Sequence, residues 1–295
     1  MSLTPFSDLN YNSHYDYYRQ LFGDSEGGIR CAQRKAQHAH SLVIFESLKD
    51  TAIRMIEFSS CLTQNQAKYY MCYGAGRRLM TMWHSYRHLI SIAYPERIVP
   101  MNEEEAQETS KDINLLYMHL QGVLDNFAWC VIYEKFPEQS TIEPIKVGLF
   151  KNALKRMLEN LEIGEEINEH AEWNKDIKDR RDPVAHRIPL AVPPAILTPD
   201  QSTIMQKLQE EWNDLMQKSI TSARERRFDD AEGIKRDMDI LRDRMNTIGT
   251  FFPFFIHHPD QETIPIYPTI PNDMAHLVKL AAIIRTAIKP PAVVP

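Results

Sequence analysis

Glycine is scarce in this chain, with 10 of 295 residues, about half its usual share. Few positions can therefore adopt positive φ, which argues against a many-stranded β protein and for long helices. Cysteine is scarcer still. Cys31, Cys61, Cys72 and Cys130 form no CxxC pair and fall in segments of helical patterning. That excludes a disulfide framework or zinc site and leaves free thiols in a reducing compartment. Long hydrophobic runs are also missing. Residues 1–22 lack a cationic start and an apolar segment, so no signal peptide is expected. The stretch Leu277 to Ile288 is broken by Lys279 and Arg285 and is too short to span a bilayer. The expectation is a cytoplasmic protein with no membrane partner. Nor is there an excess of positive charge. Lys and Arg total 34 against 40 Asp and Glu, a formal net charge of −6. This excludes a protein that coats nucleic acid through a global positive field, but leaves room for one local basic groove.

What is present is helical periodicity. Residues 1–28, rich in Tyr, Ser, Asn and Asp, read as an irregular N-terminal arm. Residues 29–190 read as a helical bundle. Ile44, Leu48, Ala52 and Met55 form one apolar stripe, and Leu79, Trp83, Tyr86 and Ile90 form another. A third helix opens at Asn102 with Glu105 three residues on, a capping box, and runs to about Phe136. A short helix over 147–161 and another over 165–181 follow, with Gly164 interrupting. On the latter, Ile167, Ala171, Asn174 and Ile177 form a stripe that ends on Arg181. A stripe of this kind rarely ends in a charge unless a groove or partner receives it. Residues 191–295 read as a helical region packed on the bundle. A proline-rich strap leads to a helix pair over 200–248, broken near Arg227 by a second capping box at Asp229 and Glu232. The last helix is expected to start at Asn272 or Asp273. The fold class is all-α.

One segment carries chemistry: Arg181-Asp182-Pro183-Val184-Ala185-His186. It has the form Arg, polar residue, three residues, His, late in a helical bundle. This resembles the signature of the HEPN superfamily, small antiparallel helical bundles whose catalytic members are metal-independent ribonucleases. Others pair with nucleotidyltransferases, or act only as protein- or nucleotide-binding or dimerisation modules. The resemblance implies Arg181, His186 and Asp182 as catalytic residues and RNA as substrate. It further implies a homodimer whose two motifs line one groove, an antitoxin or nucleotidyltransferase as possible partner, and no metal or cofactor. A non-catalytic HEPN-like module stands as the alternative.

The residue types suit that chemistry. Cleaving RNA without a metal needs a base for the 2′-hydroxyl, an acid for the leaving 5′-oxygen and positive charge on the phosphorane. Histidine titrates near neutrality, and arginine forks onto phosphoryl oxygens. The product would be a 2′,3′-cyclic phosphate. Arg180 and Arg187 add local positive charge, while Asp125 and Asn126, polar residues in the apolar third helix, are candidates to orient the Arg or His. On an ideal helix Arg181 and His186 stand about 140° apart. Either Pro183 restarts the helix with Asp182 as its cap, or two chains share the site. Spacing alone is weak evidence, since Arg34/His40 and Arg78/His84 fit it loosely. His84 and His88 stand four apart but lack the glutamate of an HExxH site. Gly74 and Gly76 are expected to mark close helix packing.

Overall fold

The computed structural model describes residues 7–158, 163–186, 188–257 and 262–288. Its helices pack into a bundle, and its two strands are two residues each, so the expectation of an all-α protein holds. The framework is α2 (Glu26–Ser59), α4 (Arg77–Ile92), α5 (Glu103–Lys135) and α11 (Thr269–Ile288), with α8 (Ala171–His186) laid against α5. Short links between the successive long helices α2, α4 and α5 make these neighbours antiparallel. Ile44, Leu48, Leu79, Tyr86, Leu116, Phe127, Leu277 and Ile284 meet in one fully buried core. The last helix is thus a member of the bundle, not an appendage to it.

Local chemistry sets the helix ends. Asn102 accepts from the Glu105 N–H at 2.8 Å, and the Glu105 carboxylate accepts from the Asn102 N–H at 3.0 Å. Arg97 forks onto the same carboxylate at 2.6 and 3.1 Å, fixing the turn before α5. Ahead of α4 lie α3 (Asn65–Tyr69) and a π-helical segment, Tyr70–Gly76. A methyl group on Gly74 would stand 2.6 Å from the Asn126 side chain, and one on Gly76 would stand 2.5 Å from Ile56. Both glycines therefore serve close helix approach.

Several expectations need correction. The N-terminal arm is not irregular: Tyr11–Phe22 form α1, capped by Asn10, which accepts from the Asn12 N–H. Period-3.6 apolar patterning is weak there because the residues that dock α1 are histidines and tyrosines. His14 is fully buried, and its Nε2 donates to the Asp8 carbonyl at 2.8 Å. His40 of α2 likewise donates to the Leu9 carbonyl at 3.1 Å. The segment expected as a helix over 147–161 holds a shorter one, α6 (Asn152–Leu158), and its expected end near Leu161 lies outside the described residues. Gly164 sits inside α7 (Ile163–Asn168); the junction it was expected to mark, over 159–162, lies outside the described residues, and a break at 169–170 divides the helix expected over 165–181.

The docking of α1 carries a pH dependence. Burial pushes the His40 imidazole down to about 4, with His14 and Lys279 adding to the shift and the Leu9 carbonyl and Asp8 opposing it. The docked state binds fewer protons than the free segment. Its stability is therefore full above the ordinary histidine value of 6.5 and is lost as pH falls towards about 4. We expect this to cost about 3 kcal/mol by pH 4, so hydrogen exchange in residues 11–22 should quicken roughly a hundred-fold relative to the α5 core. Parallel behaviour of the two would sink the assignment.

The proline-rich strap is clamped to α5. Leu190 donates to Asn114 Oδ1 at 2.9 Å, Asn114 Nδ2 donates back at 2.8 Å, and the Val192 N–H donates to Ser110 Oγ at 2.9 Å. Antiparallel bridges pair Ala191 with Ile256 and Ile196 with Thr250. The strap leads into a helical hairpin, α9 (Pro199–Arg224) and α10 (Phe228–Met245), which packs chiefly on itself. The break near Arg227 is present, but the expected capping box is not. Arg227 occupies the cap position and pairs with Glu225 and Asp230, so no side chain caps α10. Strands β1 (Phe254–Phe255) and β2 (Ile264–Pro265) form a short antiparallel hairpin before α11. That helix starts at Thr269, one turn earlier than expected, which puts Asp273 inside the helix rather than at its cap.

Candidate functional site

The stripe of α8 continues into two arginines with different fates. Trp173, Asn174 and Ile177 are buried. One turn on, Arg180 turns inward and Arg181 stays at the edge. Arg180 NH1 donates to Asp273 Oδ2 of α11 at 2.7 Å and lies over the Tyr117 ring of α5. The same carboxylate accepts from Tyr117 OH at 2.8 Å and from Trp173 Nε1 at 3.1 Å. Burial pushes the Asp273 carboxyl above its ordinary value, while Arg180 and the two other donors pull it back. Arg180, expected as supporting positive charge, is thus committed to the core. Beside this network His170 and His276 share one hydrogen between their Nδ1 atoms at 2.9 Å, and Trp173 stacks on His276. Burial and the neighbouring His170 push His276 down to about 4, so this pair is neutral near pH 7.

Arg181 is a surface group held in part. NH1 donates to Asp182 Oδ1 at 3.0 Å, and the side chain is 29% exposed. Its Nε is buried with no partner among the described residues. Asp182 therefore grips Arg181 and does not cap a second helix. The expected restart at Pro183 is absent: α8 runs on to His186. The proline omits only one bond, to the carbonyl of exposed Asp179 in the last turns of the helix. Arg187 and the side chain of His186 fall outside the described residues, while the His186 backbone ends α8.

Of the two α5 candidates, one faces the motif. Asp125 accepts from Gln121 at 3.1 Å. Burial pushes its carboxyl up, against the pull of Gln121, Lys151, Arg181 and Arg78. The described contacts of Asn126 lie elsewhere. Its Nδ2 donates to the Gly122 carbonyl of its own helix at 2.6 Å, and its amide fills the space left by Gly74.

Sequence reading noted Arg78 only as half of a loose Arg/His spacing and missed its partner, His119. Arg78 of α4 crosses α5 where Gly122 leaves room; a methyl there would stand 2.7 Å from the guanidinium. Arg78 NH1 then donates to His119 Nδ1 at 3.3 Å. Burial and Arg78 together push His119 below the ordinary histidine value. The mid-helix Gly122 was the one available signal. The result is a partly buried polar strip on α5, with Arg78, Lys151 and Arg181 all acting on Asp125 and a neutral imidazole alongside. Such a strip can receive an anion and supply a proton-transfer group.

Among the described residues no group of three or more His, Cys, Asp or Glu side chains is arranged to hold a metal ion. His88 is paired instead with Asp112, Nδ1 to Oδ2 at 2.6 Å. No described helix is long and apolar enough to cross a membrane. No protein-family model, curated protein or solved structure matches the chain.

Proposed function

We propose that this chain is a metal-independent endoribonuclease of the HEPN kind, cytoplasmic, acting as a homodimer on RNA. Arg181 receives the scissile phosphate and stabilises the phosphorane, His186 transfers protons, and Asp182 holds the Arg181 fork in place. The observation that carries the reading is the state of Arg181: half-buried at the end of the α8 stripe, with a guanidinium still partly exposed and only one hydrogen bond among the described residues, to Asp182. The exposed part of the fork is free to take phosphoryl oxygens. Asp125 lies close enough to feel Arg181 and offers a second carboxylate to position it. Attack of the 2′-hydroxyl on phosphorus expels the 5′-oxygen and leaves a 2′,3′-cyclic phosphate. An antitoxin or a nucleotidyltransferase is the proposed class of partner.

A second reading, a non-catalytic HEPN-like binding module, is favoured by one observation. α8 runs without a break from 181 to 186, and on a regular helix those two positions stand about 140° apart. Catalysis then requires the second chain of a dimer to bring the two groups together. The test is incubation of the purified protein with single-stranded RNA in excess EDTA, with end-group analysis. EDTA-resistant cleavage to cyclic phosphate ends supports the first reading. RNA binding or dimerisation without cleavage establishes the second.

A further inference from the structure

A cleft of about 930 Å³ opens between the start of α5, the proline strap and the α9–α10 hairpin, and no residue of α8 lines it. It persists because the hairpin packs on itself and leaves its inner face apart from the bundle. The volume lies in the range of small-molecule sites. Its walls are largely apolar. Met101 of the turn before α5, Met205 of α9 and Met245 of α10 line it together with Val192 of the strap. Methionines give a polarizable surface that adapts to an irregular apolar chain.

Two polar groups on the hairpin side stand out. Trp212 Nε1 is buried with no hydrogen-bond acceptor among the described residues. The Arg242 guanidinium lies over the Trp212 ring, 5.8 Å from its centroid. Its nearest described carboxylate, Asp239, is 3.6 Å away, beyond hydrogen-bond distance. The polar groups on the bundle side are already engaged. Ser110 and Asn114 are spent on the strap, and the acid of that rim, Glu103, accepts from Gln107. The cleft therefore offers an apolar body and, on its hairpin wall, Trp212 and the cationic Arg242, neither of which makes a hydrogen bond to the described residues.

We propose that this cleft binds a long-chain carboxylate. The carboxylate accepts from Trp212 Nε1 and pairs with Arg242, and the hydrocarbon chain lies along the methionines and Val192. The site is independent of the nuclease reading: it shares no residue with Arg181, Asp182 or His186. A ligand there bridges hairpin and bundle.

The probe is sodium dodecanoate below its micellar concentration, titrated into the full chain by calorimetry. The comparison ligand is dodecyltrimethylammonium. We expect saturable one-to-one binding of dodecanoate and at least ten-fold weaker binding of the cation. Arg242→Met should weaken dodecanoate at least ten-fold, and Trp212→Phe several-fold. Gln107→Trp, at an exposed position on the rim, should block the cleft without touching either donor. Thermal melts of each variant confirm that it folds. Absence of saturable binding overturns the proposal, as does equal binding of the two head groups. So does undiminished affinity in folded Arg242→Met and Gln107→Trp proteins.

Discussion

Arg181→Ala is expected to lower RNA cleavage in EDTA by about 10²–10³-fold, the usual loss when one preorganised donor is removed from a developing oxyanion. The substitution should leave the fold intact. Among the described residues Arg181 makes one hydrogen bond, to the exposed carboxylate of Asp182, and a surface pair of this kind contributes about 0–1 kcal/mol. Arg181→Lys keeps the charge but loses the fork, and should recover only part of the rate. Asp182→Ala frees the guanidinium without removing it, so its loss should be smaller than that of Arg181→Ala. His186→Ala removes the proton-transfer group and should match Arg181→Ala in severity. Because the two residues diverge on α8, an equimolar mixture of Arg181→Ala and His186→Ala chains should regain activity if one composite site forms across a dimer. Unchanged cleavage in the Arg181→Ala protein, verified as folded, would remove Arg181 from the reaction.

The long helices were legible because burial imposes a period on the sequence. Ile44, Leu48, Ala52 and Met55 all reach the core, and the Asn102–Glu105 box closes locally, within four residues. Pairings between distant elements left no such mark. Arg180 meets Asp273 across 93 positions, and Arg78 meets His119 across 41. Asp273 also imitates a helix cap, since Asp early in a helix is favoured by its exposed N–H groups. Here the preceding turn, starting at Thr269, is helical too. Choosing between Arg180 and Arg181 was beyond periodicity, because both lie within about one turn of Ile177. Only the position of α11 makes Arg180 the buried one. Asn126 shows a second such pairing: the amide of this polar residue in an apolar helix fills the space left by the missing side chain of Gly74, a contact that the local sequence does not announce.

Arg180→Ala, one residue from the proposed catalytic arginine, should produce the opposite phenotype. It removes a guanidinium 2.7 Å from a carboxylate whose side chain is only 5% exposed. Breaking such a pair from one side leaves an uncompensated buried charge and typically costs about 3–5 kcal/mol. Tyr117 and Trp173 still donate to Asp273, but neither neutralises it. The urea midpoint should fall by the corresponding amount with an unchanged slope, and any loss of RNA cleavage should follow the folded fraction. The penalty belongs to the orphaned charge, not to the loss of a favourable pair, so removing both ends should restore much of it. The double variant Arg180→Met with Asp273→Leu keeps side-chain bulk and leaves no buried ion, and paired replacements of this kind are often neutral. It should be more stable than Arg180→Ala despite carrying one more substitution. A double variant less stable than either single change would mean that Asp273 contributes chiefly through its bonds to Tyr117 and Trp173, with Arg180 secondary. Equal midpoints for Arg180→Ala and the unsubstituted protein would show that the pair is open to water in solution.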